Sequence, residues 1–162
     1  MDIKRFKDIG KQEFMRRAIE IASDSIDNGG GPFGCVVVKN GKIIGEGVNN
    51  VTKNNDPTAH AEINAIREAC KNLNNFQLLN CEIYSTCEPC PMCFGAIYWA
   101  RPSRVYYGSN KIDAERANFD DNFIYQEINK TPETRRIPME QLLKEESKFL
   151  FDKWLNIDKI QY

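Results

Sequence analysis

The stretch Cys81-Glu82-Ile83-Tyr84-Ser85-Thr86-Cys87-Glu88-Pro89-Cys90-Pro91-Met92-Cys93 sets a strand directly before a helix. Its first five residues alternate and are β-prone, which reads as a strand. A proline on each side of Cys90 suits a helix entry, because proline fixes φ and its missing N–H costs nothing in the first turn. Met92, Phe94, Ala96-Ile97 and Trp99-Ala100 continue the helix, Arg101-Pro102 ends it, and Val105-Tyr106-Tyr107 starts another strand. Cys90 and Cys93 stand three positions apart, so they are neighbours on one helix face. Two thiols pointing the same way from a helix start form a metal-binding half-site that needs a third ligand.

Working outward, residues 11–28 place Phe14, Ala18, Ile21, Ala22 and Ile26 at helical spacing, and Asn28-Gly29-Gly30-Gly31 stops that helix. Pro32-Phe33-Gly34 leads into the apolar run Cys35-Val36-Val37-Val38, and Asn40-Gly41 predicts a two-residue hairpin returning through Ile43-Ile44 and Gly47-Val48. A polar loop, residues 49–55, precedes Asp56-Pro57, which predicts a helix start. That helix carries Ile63, Ala65-Ile66, Ala69-Cys70 and Leu73 as its apolar stripe. Beyond Tyr107 the pattern predicts a helical turn at 113–117, a short strand from Ile137 and a helix over 139–156. The element order implies an α/β fold: a three-layer α/β/α sandwich around a mixed sheet of about five strands. Residues 1–162 read as a single domain.

Bulk properties narrow the function. A chain of 162 residues suffices for one domain with a real core. A formal net charge of −1 argues against nucleic acid as an obligate partner. No run approaches about 18 consecutive apolar residues, which predicts no membrane span. The opening Met1-Asp2-Ile3-Lys4-Arg5-Phe6-Lys7-Asp8 has charges and no apolar run after them, so no signal peptide is expected and the chain reads as cytoplasmic. Disulfides are rare in that compartment, so six cysteines point toward metal binding or chemistry.

His60 is the chain's only histidine, thirty positions before Cys90. With Cys90 and Cys93 it makes a His/Cys/Cys set, and three protein ligands on zinc leave a fourth position open, which is the catalytic pattern. Glu62 is the candidate general acid/base. Residues two apart on an ideal helix diverge by about 200°. His60 and Glu62 can therefore share a site only at the helix's N-terminal end, toward which side chains lean. Two helix N-termini would then face the metal, and their dipoles favour thiolate there. Backbone N–H groups near Ala61 and Cys90, at the helix starts, are candidate substrate donors.

Other readings of the cysteines stand beside this one. A lone Cys-x-x-Cys can be a redox pair. An iron–sulfur run would want its next cysteine at 97, which is Ile97. A purely structural zinc would take Cys87 as fourth ligand and leave Glu62 without a role. Cys35, Cys70 and Cys81 fall among apolar neighbours and read as inert core thiols. Cys87 flanks the site and is not assigned as a ligand. The pattern His-x-Glu…Pro-Cys-x-x-Cys marks zinc nucleobase deaminases. His60-Ala61-Glu62 and Pro89-Cys90-Pro91-Met92-Cys93 match it in identity, order and local spacing.

Further stretches make the resemblance narrower: Gly30-Gly31-Pro32-Phe33-Gly34, Asn49-Asn50-Val51, Asn55-Asp56-Pro57-Thr58-Ala59-His60-Ala61-Glu62, Gly95-Ala96-Ile97-Tyr98-Trp99-Ala100-Arg101-Pro102 and Phe119-Asp120-Asp121 with Phe123-Ile124-Tyr125. Along nearly its whole length the chain resembles the bacterial guanine deaminases of the cytidine-deaminase superfamily. The resemblance implies one Zn²⁺ per chain and hydrolysis of guanine to xanthine and ammonia, with Glu62 shuttling protons. It implies that Asp121 pairs with the guanine N1/N2 edge, that Asn49 contacts the base through its amide, and that Phe33 lines the base pocket. An ionised carboxylate only accepts, so it suits that edge and rejects the ring-nitrogen acceptor of adenine. Read alone, Asp120-Asp121 would be an exposed turn. The resemblance further implies a homodimer in which residues 131–162 cross to the partner and Tyr162 caps the partner's site. Asp-Pro-Thr-Ala-His-Ala-Glu also resembles tRNA adenosine deaminases, and deamination of cytosine or guanosine is a further alternative.

Overall fold

The computed structural model describes residues 3–159, with side chains from residue 10 onward. Asn40 (φ 51°) and Gly41 (φ 74°) are both left-handed, as the tight hairpin turn requires. The turn joins β1 (Gly34–Lys39) to β2 (Lys42–Val48) antiparallel, with Gly34 opposite Val48 and a bulge between Val37 and Val38. β3 (Cys81–Cys87) pairs antiparallel with β1, and β4 (Arg104–Ser109) pairs parallel with β3. The order is β2-β1-β3-β4. A parallel pair needs a crossover, and here the stretch between the two strands contains a helix, residues Pro91–Ala100.

Helix α1 spans Ile3–Asp27, longer at its start than the sequence pattern suggested. A single turn, α2 (Val51–Asn54), interrupts the expected polar loop, and α3 runs Ala61–Leu73. The crossover helix is α4. Strand alternation divides the core between two layers. Cys35 and Val37 of β1 face α3 and α4, packing with Ala61, Ala65, Ala69 and Ile97. Val36 and Val38 face α1, packing with Ala18, Ile21 and Tyr84. The expected three-layer α/β/α sandwich is therefore present, with four strands among the described residues where about five were expected.

The missing strand has a local cause. The Arg136 N–H donates to Glu127 Oε2 (2.6 Å), Pro138 has no N–H, and the Met139 N–H donates to the Pro132 carbonyl (3.1 Å). Three of the donors a strand around Ile137 would draw on are thus absent or spent. Only a 3-10 turn, Pro132–Thr134, forms nearby. The last helix, α7, spans Lys144–Leu155 rather than starting at 139, because Leu143 before it is left-handed (φ 48°). The chain falls into two compact units, Met1–Asp121 and Asn122–Tyr162. The first ends with α5 (Lys111–Arg116), closed by a reciprocal capping box between Asn110 and Asp113. The second holds α6 (Asn122–Ile128) and α7, and its Glu127 accepts from Lys130 (2.6 Å). Among the described residues no helix is long and apolar enough to cross a membrane.

Two glycines let α3 lie flat on the sheet. A Cβ on Gly47 would sit 2.2 Å from the Ala61 carbonyl oxygen, and one on Gly45 would sit 2.5 Å from that of Ala65. The Asn64 amide fixes the first turn of α3 by donating to the Val48 (2.9 Å) and Ala59 (3.3 Å) carbonyls. The N-terminus of α3 is thereby held beside the end of β2.

Candidate active site

The helix expected from Asp56-Pro57 begins only at Ala61. The Asp56 carboxylate accepts from the Thr58 backbone N–H (2.8 Å) and hydroxyl (2.7 Å), closing a local turn instead of capping a helix. His60 is the N-cap of α3, with extended backbone (φ −71°, ψ 157°). Standing outside the helix, its side chain is free of the 200° divergence that would separate it from Glu62. Cys90 repeats the arrangement as N-cap of α4 (φ −65°, ψ 168°), with proline at the next position. His60 makes no capping bond to α3, and the Cys90 sulfur is engaged with Cys93 rather than capping α4. Both are turned to another task.

That task is shared with Cys93. One donor atom each from His60, Cys90 and Cys93 lies within 4.8 Å of the others. His60 Nδ1 stands 3.5 Å from Cys90 Sγ and 3.6 Å from Cys93 Sγ. Two tetrahedral zinc ligands, a nitrogen at about 2.05 Å and a sulfur at about 2.3 Å, would be about 3.6 Å apart. The donor set and its spacing fit zinc. Cys90 is pulled down to about 4 by the hydrogen bond from Cys93 and then by His60. The same contact with Cys90, with burial, pushes Cys93 up, and Cys90 raises His60. The cluster holds one thiolate readily, and a cation at its centre is what would let it hold two.

Glu62 is buried beside this group. Its Oε1 accepts from the Ser85 hydroxyl (2.9 Å) and its Oε2 from the Cys93 thiol (3.3 Å). Cys87 turns away: its Sγ donates to the Asn110 carbonyl (3.8 Å), and burial pushes its thiol up to about 11. It is no part of the converging set, so a four-ligand structural site including it does not form.

The expected base-binding residues are placed as follows. Asn49 follows β2, accepts from the Val51 N–H through Oδ1 (3.2 Å), and donates its own N–H to the Phe33 carbonyl (3.1 Å). Phe33 meets Phe119 edge to face at 4.9 Å. Asp121 is half-buried, and its carboxyl is raised by burial and then by the charge of Cys90, which puts it within electrostatic reach of that thiol. Ala61 is buried as the first residue of α3. Tyr162 lies outside the described residues. Cys35 and Cys81 are fully buried, as core thiols should be, whereas Cys70 is half-buried. Sequence reasoning passed over Ser85 and Phe119 as site residues. Ser85 carried a usable signal: it is a polar residue at an inward position of β3, in step with Cys81 and Ile83.

Comparison with known proteins agrees with this geometry. A guanine deaminase from Bacillus subtilis is 54% identical over 146 residues, covering 90% of this chain and 94% of that protein. Its crystal structure superposes with a TM-score of 0.90 at 52% identity, covering 93% of this chain and 97% of that one. A tRNA-specific adenosine deaminase from Buchnera aphidicola is 39% identical, over 86% of this chain and 93% of that protein. The family described as cytidine and deoxycytidylate deaminase zinc-binding region matches residues 9–109, which hold His60, Glu62, Cys90 and Cys93. The chain belongs to the cytidine and deoxycytidylate deaminase family of zinc-binding proteins.

Proposed function

We propose that this chain is a cytoplasmic, zinc-dependent guanine deaminase, hydrolysing guanine to xanthine and ammonia. The observation that carries the reading is the convergence of His60, Cys90 and Cys93 beside the buried carboxylate of Glu62. The identity of the Bacillus subtilis relative supports guanine as the base.

His60, Cys90 and Cys93 would hold the metal. Bound zinc supplies Lewis acidity that makes water a nucleophile near neutral pH. Glu62 takes a proton from water and delivers it to the guanine ring nitrogen as the water oxygen bonds to C2; it then takes the proton of that C2 hydroxyl and passes it to the 2-amino group, whose C–N bond breaks to release ammonia. Asp121 accepts from the N1/N2 edge of the base and so orients C2 toward Glu62. Asn49 contacts the base with its side-chain amide, the N–H of Ala61 donates at the start of α3, and Phe33 forms a wall braced by Phe119.

The active form is a homodimer in which residues 131–162 cross to the partner and Tyr162 caps the partner's site. The exposed Phe149, Leu150 and Phe151 of α7, which has no buried residue, support an intermolecular role for this segment. Sedimentation at twice the chain mass of 18.6 kDa tests the assembly.

Ammonia release from a panel of guanine, guanosine, adenine, cytosine, cytidine and a tRNA anticodon stem–loop tests the substrate. Guanine should dominate. The kinship with tRNA-specific adenosine deaminases favours a second reading, and turnover of the stem–loop with no reaction of free guanine would replace the first by it.

A further inference from the structure

The described residues contain three buried polar or charged side chains, Ser25, Glu62 and Ser85. Two of them are bonded to each other. Ser85 lies near the end of β3, 1% exposed, opposite Cys35 in the register and on the sheet face that packs under α3 and α4. Its neighbours along that face are Cys81 and Ile83, so the hydroxyl sits in an otherwise apolar floor. From there it donates to Glu62 Oε1 at 2.9 Å. The other oxygen, Oε2, is turned to the Cys93 thiol at 3.3 Å, on the side where His60 and Cys90 converge. A carboxylate on a flexible three-torsion side chain has been given one anchored oxygen and one directed at the metal cluster.

We propose that Ser85 is the positioning residue of the proton shuttle, fixing the rotation of the Glu62 carboxylate so that Oε2 faces the reacting water and the leaving amine. The assignment rests on the deaminase reading above. Ser85 touches neither metal nor substrate; it acts only through Glu62. The helix leaves this job to a strand residue for a geometric reason. Glu62 is the second residue of α3, and its side chain reaches the sheet, where the donor it meets is Ser85. A strand presents every second residue to that floor, and position 85 falls on it. Loss of orientation at a reacting group costs rate rather than affinity, on the order of a hundredfold for a displacement of about 1 Å.

The test compares the zinc-loaded wild type with Ser85→Ala, Ser85→Cys and Ser85→Thr. Zinc content, kcat and KM are measured on whichever free base the wild type turns over best. Ser85→Ala should lose roughly tenfold to a hundredfold in kcat, with KM and zinc content unchanged. Threonine keeps the hydroxyl on a strand-favoured residue and should restore most of the rate. Cysteine, a weaker donor of similar size, should fall between. If Ser85→Ala does not fold or load zinc, the Cys and Thr variants carry the comparison. Wild-type kcat in the folded Ala or Cys variant would overturn the assignment, as would a loss confined to KM or to zinc content. No turnover of any free base by the wild type overturns the deaminase reading itself. Turnover of a base other than guanine overturns only the substrate, and Ser85 is then tested on that base.

Discussion

At the scale of single residues, Asp121 stands at odds with its surroundings. Burial above all opposes its ionisation, so its carboxyl is raised above the ordinary carboxylate value of about 3.9. The proposed pairing of Asp121 with the guanine edge needs it ionised. The value of kcat/KM for guanine should therefore fall as pH falls through that raised value, with zinc content constant in the same samples. The linkage runs the opposite way for folding. A group with a raised folded-state pKa contributes stability that is present below its unfolded value and lost as pH rises through the folded value. At neutral pH the ionised Asp121 thus works against the fold. Asp121→Asn should melt no lower than the wild type, and higher if the charge is the dominant cost, while losing on the order of a hundredfold or more in guanine turnover. An unchanged rate would remove Asp121 from the site; a lower melting temperature would refute the electrostatic account.

Among the elements, α3 is the one whose placement the site depends on. Its first turn can approach β2 only because Gly47 has no side chain, since a Cβ there would stand 2.2 Å from the Ala61 carbonyl oxygen. Gly47→Ala should cost about 1–3 kcal/mol through overpacking and should weaken zinc retention, because His60 caps the displaced turn. Gly95→Ala on α4 is the control: a Cβ there meets nothing within 4 Å, so it should be neutral or stabilising by about 0.5–1 kcal/mol. Equal melting temperatures and zinc contents for the two variants would contradict this view of α3. The same helix shows where sequence reading succeeds and stops. The hairpin at Asn40-Gly41 and the strand–helix–strand around Cys90 were legible, because turn chemistry and alternation are local signals. The start of α3 was not. Asp56 and Pro57 are ordinary helix openers, but the Thr58 hydroxyl and N–H drew the Asp56 carboxylate into a turn four residues early. Ser85 was passed over for another reason: its inward position on β3 was legible, but its partner Glu62 lies 23 positions away. In the second unit, α7 has no buried residue, so its apolar residues carry no burial periodicity from which its limits follow.

For the molecule as a whole, the architecture brings two helix N-termini from one side of a four-stranded sheet to a single point. α3 supplies His60 and Glu62, and α4 supplies Cys90 and Cys93. The sheet contributes the floor, with Ser85 beneath Glu62. The proposed metal ligands and the proposed proton carrier are therefore separable: Glu62 is next to the converging set without belonging to it. The most direct test of the account exploits that separation. Guanine is incubated with the zinc-loaded chain and with Glu62→Gln at matched zinc content, and xanthine and ammonia are quantified together. The account predicts equimolar xanthine and ammonia from the wild type and a rate lower by orders of magnitude from Glu62→Gln, with about one zinc per chain in both. Xanthine formed at the wild-type rate by Glu62→Gln, or none formed by the zinc-loaded wild type, would contradict it.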